Sequence, residues 1–265
     1  MQAMVGLLLL GIVVAMSMVA AHAGRMQKAE LQRLEAIEEL VQLRRWDQAA
    51  LMLDTLLSSP TRTQGARLQA LIYLAGVLAR YHRFEDAITV QNYLLENAQF
   101  DSTTAHGLRL MRTMSMLHED HLFDADRAIS ELRRENAESA GLALVEMYRD
   151  IKTGHPAEAI EIFGRRLPQM RTQLGNRLAD GYALVARAHD LLEQDSLAAT
   201  AWERATLLAA PIELFRRYPE LGPLKNKYSA APAPTELAAM YANPPATDSA
   251  ATPPAPLQVA EGGPA

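Results

Sequence analysis

The stretch His118-Glu119-Asp120-His121, with Asp124 and Asp126 close behind, is the one group in this chain whose residue types could hold a metal. Two histidines at i and i+3 can share a helix face. A zinc-protease helix, however, needs His-Glu-x-x-His, and this spacing is one residue short. The stretch also falls where a turn between two helices is expected. Histidines near a helix C-terminus are favoured by the helix dipole with no ligand at all. The sequence therefore predicts no metal site, and a helical metal-dependent enzyme using His118 and His121 is the remote alternative. His82, His106, His155 and His189 read as turn or surface residues. There is no Gly-rich phosphate loop, no Gly-x-Ser-x-Gly and no dinucleotide fingerprint. The chain has no cysteine, which removes disulfides, zinc ribbons and cysteine nucleophiles. No catalytic residue, no cofactor and no small-molecule substrate is predicted.

Residue types suited to binding are more frequent. Arginine doublets stand at Arg44-Arg45, Arg133-Arg134, Arg165-Arg166 and Arg216-Arg217. They could grip an acidic peptide or anionic head groups, although solvated faces paired with glutamate at i, i+4 explain them more simply. Met111, Met114 and Met116 could form an adaptable apolar patch, but methionine at this spacing is more often core.

The elements that must position these groups follow from a recurring alanine. Ala49, Ala87, Ala125, Ala159 and Ala198 return at steps of roughly 38 residues. A period between 20 and 50 residues marks a solenoid, whose units bury their apolar faces only by stacking. Before each alanine runs an amphipathic helix. Leu31, Leu34, Ile37, Leu40 and Val41 form the first stripe, and Leu68, Leu71, Ile72, Leu74, Ala75 and Leu78 the second. Leu108, Met111, Met114 and Leu117 belong to the third. Leu142, Leu144, Val145 and Tyr148 follow in the fourth, then Leu178, Tyr182, Val185 and Ala186 in the fifth. A short turn precedes each alanine, and a second apolar helix starts with it. Pro60 and Pro211 stand as stops.

These residues resemble the tetratricopeptide repeat family. That pattern has a turn of the type Gly-x-aromatic-x-x-Ala, an aromatic four residues on and a second alanine three further. Trp46 and Ala49, Phe84 and Ala87, Ala125, then Gly154, Ala159 and Phe163, and Ala198, Trp202 and Ala205 carry it. The match runs from Leu31 to Pro211. The turn glycine is missing from all units except the fourth. The resemblance implies an all-α, right-handed α-solenoid of about five helical hairpins that binds protein or peptide partners on its concave face. The carboxylate clamp of some members is absent, since Leu34, Glu38, Ile72 and Gly76 occupy its positions. The layout is also similar to that of the membrane-anchored lipopolysaccharide assembly protein B family, without its cysteine-rich metal module.

Ala3 to Ala23 carries no charged side chain, and about 20 such residues span a bilayer as a helix. Arg25, Lys28 and Arg33 follow it and no basic side chain precedes it. The positive-inside bias then puts the repeats in the cytoplasm, on a single-pass inner-membrane protein. The alternative is a signal segment cleaved at Ala21-His22-Ala23, giving a periplasmic or secreted protein. Residues 1–24 are thus read as membrane helix or signal segment, 25–228 as the repeat domain and 229–265 as a Pro/Ala-rich disordered tail. Ile212, Leu214, Phe215 and Leu221 are expected to form a short capping helix. The net charge of −5 argues against nucleic acid. The function expected is a membrane-tethered interaction scaffold or adaptor in bacterial envelope assembly. Its partner-binding positions are expected at Arg33, Arg67, Arg109 and Arg112.

Overall fold

The computed structural model describes residues 24–59 and 63–228. The expected membrane helix or signal segment up to residue 23, Pro60 and the tail lie outside the described residues. No helix among the described residues is long and apolar enough to cross a membrane.

The described residues are helical throughout, with no strand among them. Helix α1 covers residues 24–42. It is followed by α2 (Trp46–Leu57), α3 (Gln64–Arg80), α4 (Phe84–Asn97), α5 (Ser102–His118) and α6 (Leu122–Asn136). Then come α7 (Ala140–Lys152), α8 (Pro156–Gln173), α9 (Leu178–Leu191) and α10 (Asp195–Leu208). These ten pair in chain order as five hairpins. A C-terminal segment follows, made of α11 (Pro211–Arg217), a 3-10 turn at Pro219–Leu221 and α12 (Gly222–Tyr228). The second helix of each hairpin packs against the first helix of the next: α2 on α3, α4 on α5, α6 on α7 and α8 on α9.

One turn geometry joins the two helices of every hairpin. Arg44, His82, Asp120, Gly154 and Glu193 all have positive φ, between 57° and 79°. Each stands five residues before its alanine. The next backbone N–H reaches back to a carbonyl five residues earlier: Arg45 to Leu40, Arg83 to Leu78, His121 to Met116, His155 to Asp150 and Gln194 to His189, all at 2.8–2.9 Å. This bond and the left-handed residue before it make a Schellman C-cap, which satisfies carbonyls that the helix leaves open. The glycine expected there is present only in the fourth hairpin. In the other four an ordinary residue accepts the left-handed conformation, at about 1–2 kcal/mol each.

The marker alanines earn their spacing through burial. Ala49, Ala87, Ala125, Ala159 and Ala198 are all at 0% exposure, and so are Ile37, Ala75, Thr113, Met147 and Ala186, each twelve residues earlier. A larger side chain at the alanine would push the two backbones of the hairpin apart. Four residues after the alanine come Leu53, Gln91, Ile129, Phe163 and Trp202, all buried. Four of these five are apolar; Gln91 is the exception.

The apolar interior lies in two blocks. One contains Leu34, Ile37, Leu53, Leu56 and Val77. The other runs from Leu117 through Tyr148, Tyr182 and Trp202 into the C-terminal segment, with Leu214, Tyr218, Leu221 and Leu224 fully inside. Between first helices, α5 packs on α7 and α7 on α9, whereas α3 and α5 make no comparable contact. The C-terminal segment is more than the expected end cap. Of the residues expected to form it, Leu214 and Leu221 are buried but Ile212 is 59% exposed. Tyr218, which the apolar pattern did not single out, is the largest side chain the segment buries.

Candidate functional site

Counting back from each alanine identifies the inner face of the first helices. Seven residues back stand Arg80, His118 and Lys152; eleven back stand Gly76, Met114 and Tyr148. The turn aromatics of one hairpin meet the first of these rows in the next. The Arg80 guanidinium lies 5.5 Å from the Trp46 ring centre, and the His118 ring stacks on Phe84 at 4.2 Å and 5°. Trp46 and Phe84 are therefore couplings between hairpins as well as turn markers.

Where α3 and α5 part, the inner face opens into a cavity of about 550 Å³. Gly76 and Ala79 of α3, Gly107, Met111 and Met114 of α5, and Gly141 and Val145 of α7 form its apolar wall. The C-terminal segment contributes Arg216, Arg217 and Tyr218 to the opposite side. The glycines make the space. A β-carbon on Gly107 would meet no atom within 4 Å, and one on Gly76 only the tip of Met111 at 4.0 Å. Gly141 has a different reason: a β-carbon there would come within 2.7 Å of Leu110. Mid-helix glycine costs about 0.5–1 kcal/mol relative to alanine, so Gly76 and Gly107 lower stability where they leave the cavity open.

Gln91 lines the same cavity from α4. It is fully buried, and neither its amide nitrogen nor its amide oxygen has a hydrogen-bond partner among the described residues. An unsatisfied buried polar group costs about 1–3 kcal/mol.

Ion pairs hold the C-terminal segment in place. Arg80 donates to both oxygens of Glu213, at 2.6 and 2.5 Å. Burial raises the Glu213 carboxyl pKa, but its bonds to Arg80 outweigh this and leave it below the ordinary 4.5. Arg217 and Arg177 converge on the buried Asp180, at 2.5 and 3.2 Å. The Tyr148 hydroxyl donates to Glu220 at 2.8 Å. It therefore accepts from His118 Nδ1, at 3.0 Å. Lys152 lies 3.4 Å from Glu220 and donates to the Leu117 carbonyl at 2.7 Å. Burial, reinforced by the Lys152 charge, draws the His118 pKa down to about 4. His118 is thus neutral at pH 7.

His118 and His121 are not brought together as a ligand pair. His118 turns inward to Phe84 and Tyr148, while His121 is exposed beside Glu85 at 3.3 Å. Among the described residues no group of three His, Asp or Glu could hold a metal ion. The four arginines expected to bind a partner do not share a surface with the cavity. Arg33 and Arg67 are exposed on α1 and α3. Arg109 pairs with Glu135 at 2.7 Å, and Arg112 donates to Asn92 at 3.2 Å. The doublets pair mainly between hairpins: Arg133 with Glu146 at 2.5 Å and Arg166 with Glu138. Only Arg165, with Glu161, follows the expected i, i+4 rule. Of the three methionines, Met111 and Met114 line the cavity, and Met116 packs on the larger core block. Sequence reasoning passed over Gln91, Gly107 and Arg177. The signal was available for Gln91, which occupies an apolar position of the repeat.

No family model, no curated protein and no solved structure matches this chain.

Proposed function

We propose that the chain is a tetratricopeptide-type interaction scaffold, tethered to the inner membrane by its first segment, that assembles envelope proteins on its cytoplasmic side. What supports the reading is the turn shared by all five hairpins, with its left-handed residue and buried alanine at one fixed offset. That regularity belongs to a stacked frame, and such frames act through surfaces. The paired polar groups of the inner face are spent on structure: His118, Tyr148, Asp180 and Glu213 hold the C-terminal segment. Arg33 and Arg67, exposed on the first helices of the first two hairpins, are the proposed contacts for an acidic partner surface. The tether raises the effective concentration for partners in the same membrane.

The experiment is site-specific photo-crosslinking in cells. A photoreactive residue at position 33 or 67 of the full chain should give a discrete adduct in the membrane fraction. The same residue at Phe123, which is 83% exposed on α6, should give none. Equal adducts from all three positions, or adducts only in a soluble fraction, would contradict the scaffold.

A further inference from the structure

We infer that the cavity between α3, α5 and α11 is a binding site for a small amphipathic acid, with an apolar body and one carboxylate head. This goes beyond the scaffold reading and concerns a separate surface.

The wall is built for both parts of such a molecule. Met111, Met114 and Val145 offer an adaptable apolar surface, since methionine's thioether side chain re-packs easily around different shapes. Four arginines, Arg80, Arg177, Arg216 and Arg217, line the cavity, and among the described residues no aspartate or glutamate does. Behind them stand two carboxylates, Glu213 and Asp180. Four cations against two anions leave an excess of two positive charges. Arg216 is the least engaged of the four, 3.9 Å from Glu213. A carboxylate is the natural partner of a guanidinium fork.

Gln91 supplies the independent sign of a ligand. In the other four hairpins its position is Leu53, Ile129, Phe163 or Trp202. Here it is a fully buried amide on the cavity wall, and neither polar atom has a partner among the described residues. Its N–H can donate to a carboxylate oxygen.

Size and closure select a small molecule over a helix. About 550 Å³ falls in the range of small-ligand sites, roughly 300–1,000 Å³. A helical peptide is about 10–12 Å across. It would have to displace α11, which Arg80–Glu213 and Arg217–Asp180 hold in place.

The test uses the purified full-length chain and a photoactivatable dodecanoic acid, with labelled sites located by peptide mapping. Label is expected on the α5 peptide. It should fall at least roughly tenfold in Gly107→Leu and in Gly76→Leu, which fill the cavity. Dodecanoate should displace the probe at least roughly tenfold better than dodecanol, because the alcohol leaves the guanidinium groups unanswered. Both variants replace a helical glycine with a better helix former. A cooperative melt verifies each fold, and either variant alone suffices for the comparison. Label confined to residues 1–23, label on α5 that neither variant reduces, or equal displacement by dodecanol would overturn the proposal. So would displacement by a carboxylate-free apolar peptide as effective as that by dodecanoate.

Discussion

Arg80 on α3 and Glu213 on α11, 133 positions apart, form a two-bond ion pair across the inner face of the repeats. The pair spans the place where the first helices part, so it ties the C-terminal segment to the second hairpin. Arg80→Gln or Glu213→Gln should cost about 1.5–3 kcal/mol, the worth of hydrogen bonds to charged groups. The loss should be local, seen as faster amide exchange in residues 211–228. The Glu213 carboxyl is held below its ordinary 4.5. Its contribution is therefore present above that value and disappears as pH falls through the lower folded value.

His118 titrates in the opposite chemical sense but with the same direction of pH. Its folded pKa is about 4 against an ordinary 6.5. Between these values the unfolded chain binds the extra proton, so stability rises with pH. The difference amounts to roughly 2–4 kcal/mol. Thermal melts of the native chain should weaken from pH 6.5 to pH 5, a window above the Glu213 transition. In His118→Gln that part of the slope should disappear, leaving only the fall below pH 4.5 to which Glu213 contributes.

The turns give a stabilising prediction. Glu193 holds a positive φ of 59° and makes no ion pair or side-chain hydrogen bond among the described residues. Glu193→Gly should raise stability by about 1 kcal/mol by removing the left-handed penalty. Gly154→Ala, at φ 79°, should lower it by about the same amount. For a domain of this size either change moves the melting temperature by about 2–4 °C.

The alanine positions predict intolerance to size. Ala125→Leu should cost about 1–3 kcal/mol or more by overpacking the third hairpin. Phe123→Ser, two residues earlier but 83% exposed, should stay within about 0.5 kcal/mol. Gln91→Leu should go the other way and stabilise by about 1–3 kcal/mol, because it removes an unsatisfied buried amide. Urea titrations of the three variants would rank them.

The repeat was legible because close helix packing leaves a periodic mark. Only alanine fits where α2, α4, α6, α8 and α10 approach their partners, and that constraint shows at Ala49, Ala87, Ala125, Ala159 and Ala198. The turns were less legible, because Arg44, His82 and Glu193 carry no glycine yet take the same conformation. There the tertiary frame overrides local preference. The third hairpin's turn aromatic is out of register for a related reason. Leu122, not its neighbour Phe123, stands three residues before the alanine as Trp46 and Phe84 do, and Phe123 is exposed. The inner face was within reach of the sequence. Counting back seven and eleven from the alanines gives Arg80, His118, Gly76 and Met114. Arg33, Arg67, Arg109 and Arg112 stand out in the sequence by their charge, and they fall outside those rows. The closure of the cavity by α11 was not legible, because it depends on contacts such as Arg80–Glu213 that no local pattern encodes.

The central claim is that the C-terminal segment closes the inner face onto α3. The chain contains no cysteine, so a pair of introduced thiols reports on this contact without background. In the full-length chain carrying Tyr81→Cys and Arg216→Cys, positions that line one surface hollow and leave the Arg80–Glu213 pair intact, a short bismaleimide should link the two positions within one molecule in high yield. If both thiols react with a single maleimide but no intramolecular link forms, the segment does not lie across α3, and the cavity and the ligand inferred from it fall with it.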